Sequence, residues 1–274
     1  MTKTSEDRGY LLGDGVFDTL VAFNGIPVEG DRHLARLLNQ AEQIGIAVAE
    51  SDIRTDWQEV LSMSDSNACI LRTTVTRGRT ERGLWPSTAK AGGAPVRSVS
   101  ATPWAPALIQ GSVSLVTSAI RRNDQSPTSR LKSTSYLDNI LAAREATARG
   151  VDDALLLNTH GKVACSTIAN VFALTGTRLA TPPLNDGVLA GTMRALVLEL
   201  AASVGLSAEE RSLMPAELAA GDLLFVTNSV RFLRPVSSLD GKAWPDKLPD
   251  AFVALRNAVA DHVAEATFFR PTWD

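Results

Sequence analysis

The stretch from residue 153 to residue 182 constrains the fold most, because it reads as short apolar runs broken by turns: DALLLNTHGKVACSTIANVFALTGTRLATP. Short apolar runs between glycine-containing turns, here NTHG and TGT, predict a series of short strands. The chain continues with GTMRALVLELAASVGL, which predicts a helix, and with DLLFVTNSV, which predicts a further strand. Strands and helices in this order predict an α+β domain.

The N-terminal part of the chain predicts a second, smaller α+β domain. YLLGDGVFDTLVAFN followed by GIPVEG predicts a hairpin, DRHLARLLNQAEQIGI and IRTDWQEVLSM predict amphipathic helices, and ACILRTTVTRG predicts a strand. The run TPWAPALIQG contains prolines and no charged residue, which is typical of a linker. We therefore expect an N-terminal domain over residues 1–103, a linker over 104–111 and a larger C-terminal domain over 112–274.

Composition narrows the partners of the protein. The chain has 274 residues, of which 45% are hydrophobic and 21% charged, with a net charge of −3. Basic and acidic residues are interspersed, so the charge pattern does not favour nucleic acid or an anionic membrane. No run approaches the roughly 20 apolar residues of a membrane span, and the N-terminus lacks a signal-peptide pattern. We expect a soluble cytoplasmic protein that acts on small molecules.

The rare reactive residue types argue against a metal site or a disulfide framework. The only cysteines are Cys69 and Cys165, too few for such a framework. The three histidines, His33, His160 and His262, lie far apart without cysteine or carboxylate neighbours at metal-ligand spacing. No metal is expected.

Lys132 is the first candidate for chemistry. It stands in RLKSTSYLDNILAAREATARG, directly before a predicted amphipathic helix. A lysine is nucleophilic only after losing its proton, and the positive end of a helix dipole favours the neutral amine. Ser133, Thr134 and Ser135 supply N-cap candidates without adding a carboxylate that would keep the ammonium charged. A surface lysine beside a capped helix fits the same stretch.

Two further stretches suit a phosphate group. Gly191 and Thr192 open a predicted helix, where free backbone N–H groups and a hydroxyl form an anion cradle. An ordinary capped helix explains them equally well. In FVTNSVRFLRPV, a strand ends with Thr227, Asn228 and Ser229, whose polar side chains hold a phosphate or form a turn.

These stretches belong to one ordered set: GDGVFDTL, HLARL, VTRG, RG, LK, YLDNILAAREATARGVDDALLLNTHGKV, NVFALTGTRLATPPLNDGVLAGTMR, FVTNSV and RPV. From about residue 8 to about residue 242, this set resembles the class IV aminotransferases, which use pyridoxal 5'-phosphate and include branched-chain and D-amino acid aminotransferases and aminodeoxychorismate lyase. The resemblance implies fold type IV, with two α+β domains, the cofactor between them and a homodimer.

The resemblance also implies roles for particular residues. Lys132, in the C-terminal domain, corresponds to the lysine that forms the Schiff base and moves the substrate proton. Arg36 corresponds to the phosphate-binding arginine of the family. The alternative interpretation is that Arg36 is a solvated charge on the surface of a helix. Both implied roles agree with elementary chemistry, since a phosphate dianion calls for a guanidinium fork and helix N–H donors. The other implied phosphate contacts are Gly191, Thr192 and either Asn228 or Ser229.

Four positions concern the cofactor ring and the substrate. Cys165 stands where the family has a glutamate that pairs with the ring nitrogen of the cofactor. The alternative interpretation is that Cys165 is a small buried residue that only fills space. A thiol does not keep that nitrogen protonated, so the cofactor ring withdraws electrons less strongly. A less electron-withdrawing ring disfavours transamination more than it disfavours elimination. Arg82 matches a substrate-carboxylate arginine of D-amino acid aminotransferases, whereas Leu84 and Phe17 replace a histidine and a tyrosine of those enzymes.

We therefore expect a pyridoxal-phosphate-dependent aminotransferase that acts on an amino acid or amine. The first alternative is elimination of the aminodeoxychorismate lyase type. The second is a cofactor-binding paralogue with little or no transaminase activity, because Cys165 replaces the glutamate. A protein with only a structural or interaction role would bind no cofactor at all.

Overall fold

The computed structural model of the protein describes residues 6–79, 83–84 and 94–273. By its internal contacts, the chain divides into two compact units. The first unit comprises Met1–Trp104 together with Leu131–Tyr136, and the second comprises Ala105–Arg130 and Leu137–Asp274. The boundary after Trp104 falls at the start of the expected linker.

The short segment around Lys132 differs from the expected division, because its contacts assign it to the first unit and not to the C-terminal domain. The reason is backbone pairing. The Phe17 N–H donates to the Lys132 carbonyl at 2.8 Å, and the Thr134 N–H donates to the Gly15 carbonyl at 2.9 Å. Contacts made across more than a hundred residues of sequence leave no local signal in the sequence.

The first unit contains an antiparallel sheet of strands β1 to β4 in the order β2-β1-β3-β4. Helices α2 and α3 pack on one face, where the expected apolar stripes bury Leu34, Leu37, Ile53 and Trp57. The expected hairpin, both helices and the strand after them are present. The elements are α1 (Arg8–Leu12), β1 (Gly15–Phe23), β2 (Ile26–Pro27), α2 (Gly30–Gln43), α3 (Glu50–Ser62), β3 (Ala68–Thr76) and β4 (Val96–Pro103).

The second unit is built on a mixed sheet in the order β10-β9-β8-β11-β12-β5-β6-β7, with β13 paired to β12. The expected short strands and the helix after them are present. The elements are β5 (Val113–Arg122), α4 (Leu137–Ala148), β6 (Asp153–Asn158), β7 (Val163–Ser166), β8 (Asn170–Thr175), β9 (Arg178–Thr181), α5 (Thr192–Leu200), β10 (Ser207–Glu210), α6 (Pro215–Ala220), β11 (Leu223–Asn228), β12 (Phe232–Leu239), β13 (Lys242–Ala243) and α7 (Asp250–Thr267).

Strand β6 is buried on both faces, which explains its continuous apolar run. Leu155 and Leu157 join one apolar cluster, whereas Ala154 and Leu156 join a second cluster that includes Cys165 and residues of α4. Side chains alternate across a strand, so the two clusters lie on opposite faces of β6.

The described residues contain neither a membrane-spanning helix nor a metal-binding cluster. None of the helices there has both the length and the apolar character needed to cross a membrane. No group of three or more histidine, cysteine, aspartate or glutamate side chains is arranged to hold a metal ion in that part of the chain.

Candidate functional site

Lys132 lies beside aromatic rings in the first unit. Its Nζ is 4.5 Å from the centroid of the Phe17 ring and 5.7 Å from that of Tyr136. The Phe17 and Tyr136 rings meet edge to face at 5.3 Å. The Lys132 backbone N–H donates to Gln40 Oε1 at 3.0 Å. Backbone pairing with β1 and the bond from α2 therefore fix the lysine against Phe17.

The expected helix start next to Lys132 was wrong. Helix α4 begins at Leu137, so Lys132 lies outside its first turn, where the helix dipole is strongest. The hydroxyl groups expected as caps bind elsewhere: Thr134 Oγ1 donates to the Gly13 carbonyl at 2.8 Å. Ser135 Oγ lies 3.4 Å from the same carbonyl. The surroundings of the amine are thus set by aromatic rings and not by a helix end.

Arg36 is held by a buried carboxylate that the sequence analysis missed. Its Nε donates to Asp18 Oδ2 and its Nη2 to Asp18 Oδ1, both at 2.8 Å. Asp18 is 1% exposed and Arg36 is 11% exposed. The alternative of a solvated helix charge is therefore wrong. Asp18 shares the core-facing side of β1 with Val16 and Leu20, and a carboxylate within such an apolar stripe was the signal.

Electrostatics around Asp18 keep it ionised. Burial raises the pKa of the Asp18 carboxyl, but the charges of Arg36 and His33 and their hydrogen bonds outweigh burial and hold the pKa well below its ordinary value. His33 Nδ1 lies 2.7 Å from Asp18 Oδ1. Because Asp18 occupies the Nε–Nη2 edge of the guanidinium, it fixes the orientation of the Arg36 fork.

Arg72 is a second residue that the sequence analysis missed. It lies on β3, and its Cζ is 3.8 Å from the centroid of the Phe17 ring, the ring that also contacts Lys132. Its guanidinium makes no hydrogen bond or ion pair with another described side chain. A charged residue within a strand was its only signal in the sequence. Arg72 adds a positive charge at the ring beside the amine.

Arg82 and Leu84, the other two expected substrate residues, have no described contact with Lys132. Arg82 lies outside the described residues. Leu84 is 82% exposed, and its carbonyl accepts a hydrogen bond from Arg8 Nη2 at 3.1 Å. Their roles stay predictions, whereas Phe17 is buried and contacts Lys132.

In the second unit, Gly191 lies against Asn170. A Cβ at Gly191 would come within 2.0 Å of Asn170 Oδ1, so a larger residue would force Asn170 or the backbone at position 191 to shift. Asn170 Nδ2 donates to the Leu189 carbonyl at 3.0 Å, which fixes the approach to the helix. Helix α5 begins at Thr192, and no side chain caps its N-terminus. The expected phosphate cradle therefore has N–H groups that no side chain occupies.

The end of β11 lies beside this helix start, since Thr227 pairs with Asn170 in the sheet. For Asn228, the sequence allowed either a phosphate contact or a turn, and its side chain forms a turn. The Asn228 Oδ1 accepts hydrogen bonds from the N–H groups of Val230 at 3.0 Å and Arg231 at 2.8 Å. Thr227 Oγ1 is buried without a partner among the described residues. A buried hydroxyl of this kind suits an oxygen of a bound ligand. Ser229, in the same turn, is half-buried.

Cys165 is buried in the apolar cluster on the second face of β6. Burial raises the pKa of its thiol, Arg122 acts in the opposite direction and Asp153 adds to the rise. The thiol is therefore neutral near pH 7. No carboxylate occupies this position, as the sequence indicates, and Cys165 also fills space in the cluster.

Comparison with known proteins adds to this geometry. Residues 15–239 match the family model described as "Amino-transferase class IV". The "Putative branched-chain-amino-acid aminotransferase" of Methanocaldococcus jannaschii is 31% identical over 244 residues, which cover 88% of this chain and 84% of that protein. The "D-alanine aminotransferase" of Bacillus licheniformis is 29% identical over 273 residues, which cover 95% of this chain and 93% of that protein.

Solved structures resemble the chain as well. The 4-amino-4-deoxychorismate lyase of Pseudomonas aeruginosa has a TM-score of 0.82 and 30% sequence identity, with 96% of this chain and 95% of that chain covered. The relatives thus share one fold type, α+β fold type IV, while their names describe both transamination and lyase activity.

Proposed function

Because this chain belongs to the class IV aminotransferase family and is an enzyme, we propose that it binds pyridoxal 5'-phosphate through Lys132 and transfers the amino group of an amino acid or amine. Pyridoxal phosphate supplies an aldehyde that condenses with amines and a ring that withdraws electrons from the neighbouring carbon. The protein supplies the amine, the phosphate contacts and the groups that orient the substrate.

The observation that carries the proposal is the position of Lys132. Its amine lies 4.5 Å from the Phe17 ring, and its backbone is fixed by β1 and by Gln40. A lysine on a flexible surface loop lacks such restraints. An amine held at one place can condense with an aldehyde and then move a proton to and from the substrate carbon.

The phosphate contacts fit a dianion in charge and in donor type. Arg36 offers a guanidinium oriented by Asp18, and helix α5 offers backbone N–H groups beside Gly191 and Thr192. The Thr227 hydroxyl, buried and without a partner among the described residues, offers a further donor. Each of these groups is a candidate phosphate contact within its own unit, and Asn228 and Ser229 lie in the turn that follows β11.

The substrate is the amino donor, and its carboxylate would meet positive charge near Lys132. Arg72 contacts the same Phe17 ring as Lys132 and has no ion-pair partner among the described residues. We therefore assign a carboxylate-binding role to Arg72, with Phe17 as the apolar wall. Arg82 and Leu84 stay candidates for further substrate contacts.

Elimination of the aminodeoxychorismate lyase type is the second candidate, and Cys165 is the observation that favours it. Without a carboxylate at position 165, the cofactor ring withdraws electrons less strongly. Assays with amino donors and keto acids, set against pyruvate release from aminodeoxychorismate, separate the two reactions. A purified protein that binds cofactor but catalyses neither would be the cofactor-binding paralogue with little or no activity.

The absorption spectrum of the purified protein with added pyridoxal phosphate tests the proposal directly. We expect a visible band from cofactor bound through lysine, and we expect Lys132→Ala to abolish it. Lys242→Ala is the matched control, because Lys242 Nζ also lies near an aromatic ring, 5.1 Å from Trp244. A band that persists in Lys132→Ala, or no band in the wild-type protein, contradicts the proposal.

We also propose that the protein acts as a homodimer. Helix α4 exposes Leu137, Ile140 and Leu141, which are 65%, 52% and 41% exposed. Contiguous exposed apolar side chains commonly mark protein interfaces. Sedimentation equilibrium of the wild-type protein and of Ile140→Asp tests this, and a wild-type monomer at micromolar concentration contradicts it.

A further inference from the structure

Arg122 and Cys165 lie on the same face of the sheet in the second unit. Arg122, the last residue of β5, pairs with Asn158 of β6, and Cys165 of β7 pairs with Leu156 of β6. Leu156 and Asn158 are two residues apart on one strand, so their side chains point to the same face. Paired residues on neighbouring strands share a face as well. The guanidinium and the thiol are therefore on one side of β6.

The positive charge of Arg122 has no carboxylate partner within 4.0 Å in the described part of the chain. Its Nε donates to the Gly187 carbonyl at 3.0 Å and its Nη1 approaches Asn139 Oδ1 at 3.4 Å. Its Nη2 donates to the Ser129 carbonyl. All three acceptors are neutral oxygens. They hold the guanidinium in place without cancelling its charge.

Two carboxylates on the surrounding elements have partners of their own. Glu145 of α4 accepts from Ser118 Oγ at 2.6 Å and pairs with Arg149 at 2.7 Å. Asp124, after β5, accepts from Thr159 Oγ1 at 2.6 Å.

Two more carboxylates lie on β6 or next to it. Asp186 accepts from Asn158 Nδ2 at 3.4 Å and lies 3.7 Å from Lys162 Nζ. Asp153 is on β6, three positions from Leu156, and so points to the opposite face. None of them takes the place of the glutamate missing at position 165.

We infer that Cys165 and Arg122 together keep the ring nitrogen of bound pyridoxal phosphate unprotonated. The inference rests on the proposed function, under which position 165 faces that nitrogen. A neutral thiol gives no charge that would stabilise a protonated ring, and a nearby guanidinium disfavours a second positive charge. The thiol is neutral because burial raises its pKa.

This arrangement has a consequence for Lys132. An unprotonated ring withdraws electrons less, so removal of the proton from the substrate carbon by the Lys132 amine becomes the slow step. The proton would move from the substrate α-carbon to the Lys132 nitrogen and then to the aldehyde carbon of the cofactor, so that the substrate is oxidised and the cofactor is reduced to the same extent. Deuterium at the substrate α-carbon should therefore slow the wild-type reaction.

Nitrogen-15 NMR of protein loaded with ring-labelled pyridoxal phosphate reads the protonation state directly. At neutral pH we expect an unprotonated ring nitrogen in the wild-type protein and in Cys165→Ser, the neutral control. Cys165→Glu places a carboxylate beside Arg122 and should raise the pKa of the ring nitrogen by about 1–3 units. The ring should then be protonated, and the α-deuterium isotope effect should shrink.

A protonated ring in the wild-type protein overturns the inference, whatever the glutamate variant does. The wild-type and Cys165→Ser measurements decide even if Cys165→Glu fails to fold. Loss of the proposed function gives a different result: no cofactor bound through Lys132, and hence no bound nitrogen signal to assign.

Discussion

The Asp18 carboxylate binds two nitrogens of Arg36, Nε and Nη2, at 2.8 Å each. The first residue lies on β1 and the second on α2, so the pair joins the sheet to its covering helix. A guanidinium held along one edge keeps a fixed orientation before any ligand arrives, which lowers the entropic cost of binding a phosphate.

Asp18→Asn should therefore weaken both the fold and cofactor binding. Removing one partner of a buried ion pair leaves the other charge uncompensated and costs about 3–5 kcal/mol. Thermal or urea unfolding measures this loss, and fluorescence titration with pyridoxal phosphate measures affinity. Asp31→Asn is the control, because its partner Arg54 is exposed and solvent screens that pair. Equal unfolding midpoints for the two variants would disprove the role of Asp18.

The same carboxylate gives a pH signature. Its folded pKa is depressed below the ordinary value of 3.8, so its contribution to stability is present above that value. The contribution is lost as the pH falls through the depressed folded pKa, because protonation breaks the ion pair. We expect the difference in unfolding free energy between wild type and Asp18→Asn to shrink in acid. A difference that stays constant down to strongly acidic pH would contradict this assignment.

Gly191→Ala tests the approach of helix α5 to Asn170. The added Cβ would meet Asn170 Oδ1 at 2.0 Å, so either the Asn170 side chain or the helix start must shift. Overpacking of this kind costs about 1–3 kcal/mol, and the displaced N–H groups should bind phosphate more weakly. Gly161→Ala is the control. It strains a turn in which Gly161 has a positive φ, but its added Cβ would meet no other atom within 4 Å. Cofactor affinity should fall only in Gly191→Ala.

Arg72→Leu tests substrate recognition. Loss of a charge-assisted hydrogen bond to the substrate carboxylate is worth about 1.5–3 kcal/mol, which corresponds to a rise in KM of about 10- to 150-fold. The cofactor spectrum should stay the same. Arg149→Leu, which removes an exposed helix pair, should leave KM unchanged. An unchanged KM in Arg72→Leu would show that the substrate carboxylate binds elsewhere.

Gln40→Leu tests the support of Lys132. Its Oε1 accepts the Lys132 N–H at 3.0 Å, and an unsatisfied buried N–H costs about 1–3 kcal/mol. We expect slower incorporation of pyridoxal phosphate and a lower kcat, with KM less affected, because the amine is positioned less well. Gln43→Leu, on the exposed side of the same helix, is the matched control. Equal incorporation rates would rule out a positioning role for Gln40.

Patterns carried by neighbouring residues were predicted well from the sequence. The apolar stripe of α2 and the alternation of β3 each follow the repeat of their own secondary structure. The glycine before α5 reflects the backbone freedom of a single residue. The ordered motifs also indicated the family, since the order of motifs is itself a property of the sequence.

The contacts between distant parts of the chain had no such signal. The helix expected next to Lys132 begins at Leu137 because residues 132–134 pair with β1 instead of extending the helix. The division into units shifted for the same reason.

The sequence by itself determined which residues are available for chemistry: an amine at Lys132, a guanidinium at Arg36 and a thiol in place of a carboxylate at Cys165. Only the tertiary structure decided their surroundings, among them Asp18 at Arg36, Phe17 and Gln40 at Lys132, and Arg122 on the face of Cys165. The physical reason is that charge, burial and hydrogen bonding depend on distance in space, and packing brings together residues that the sequence keeps far apart.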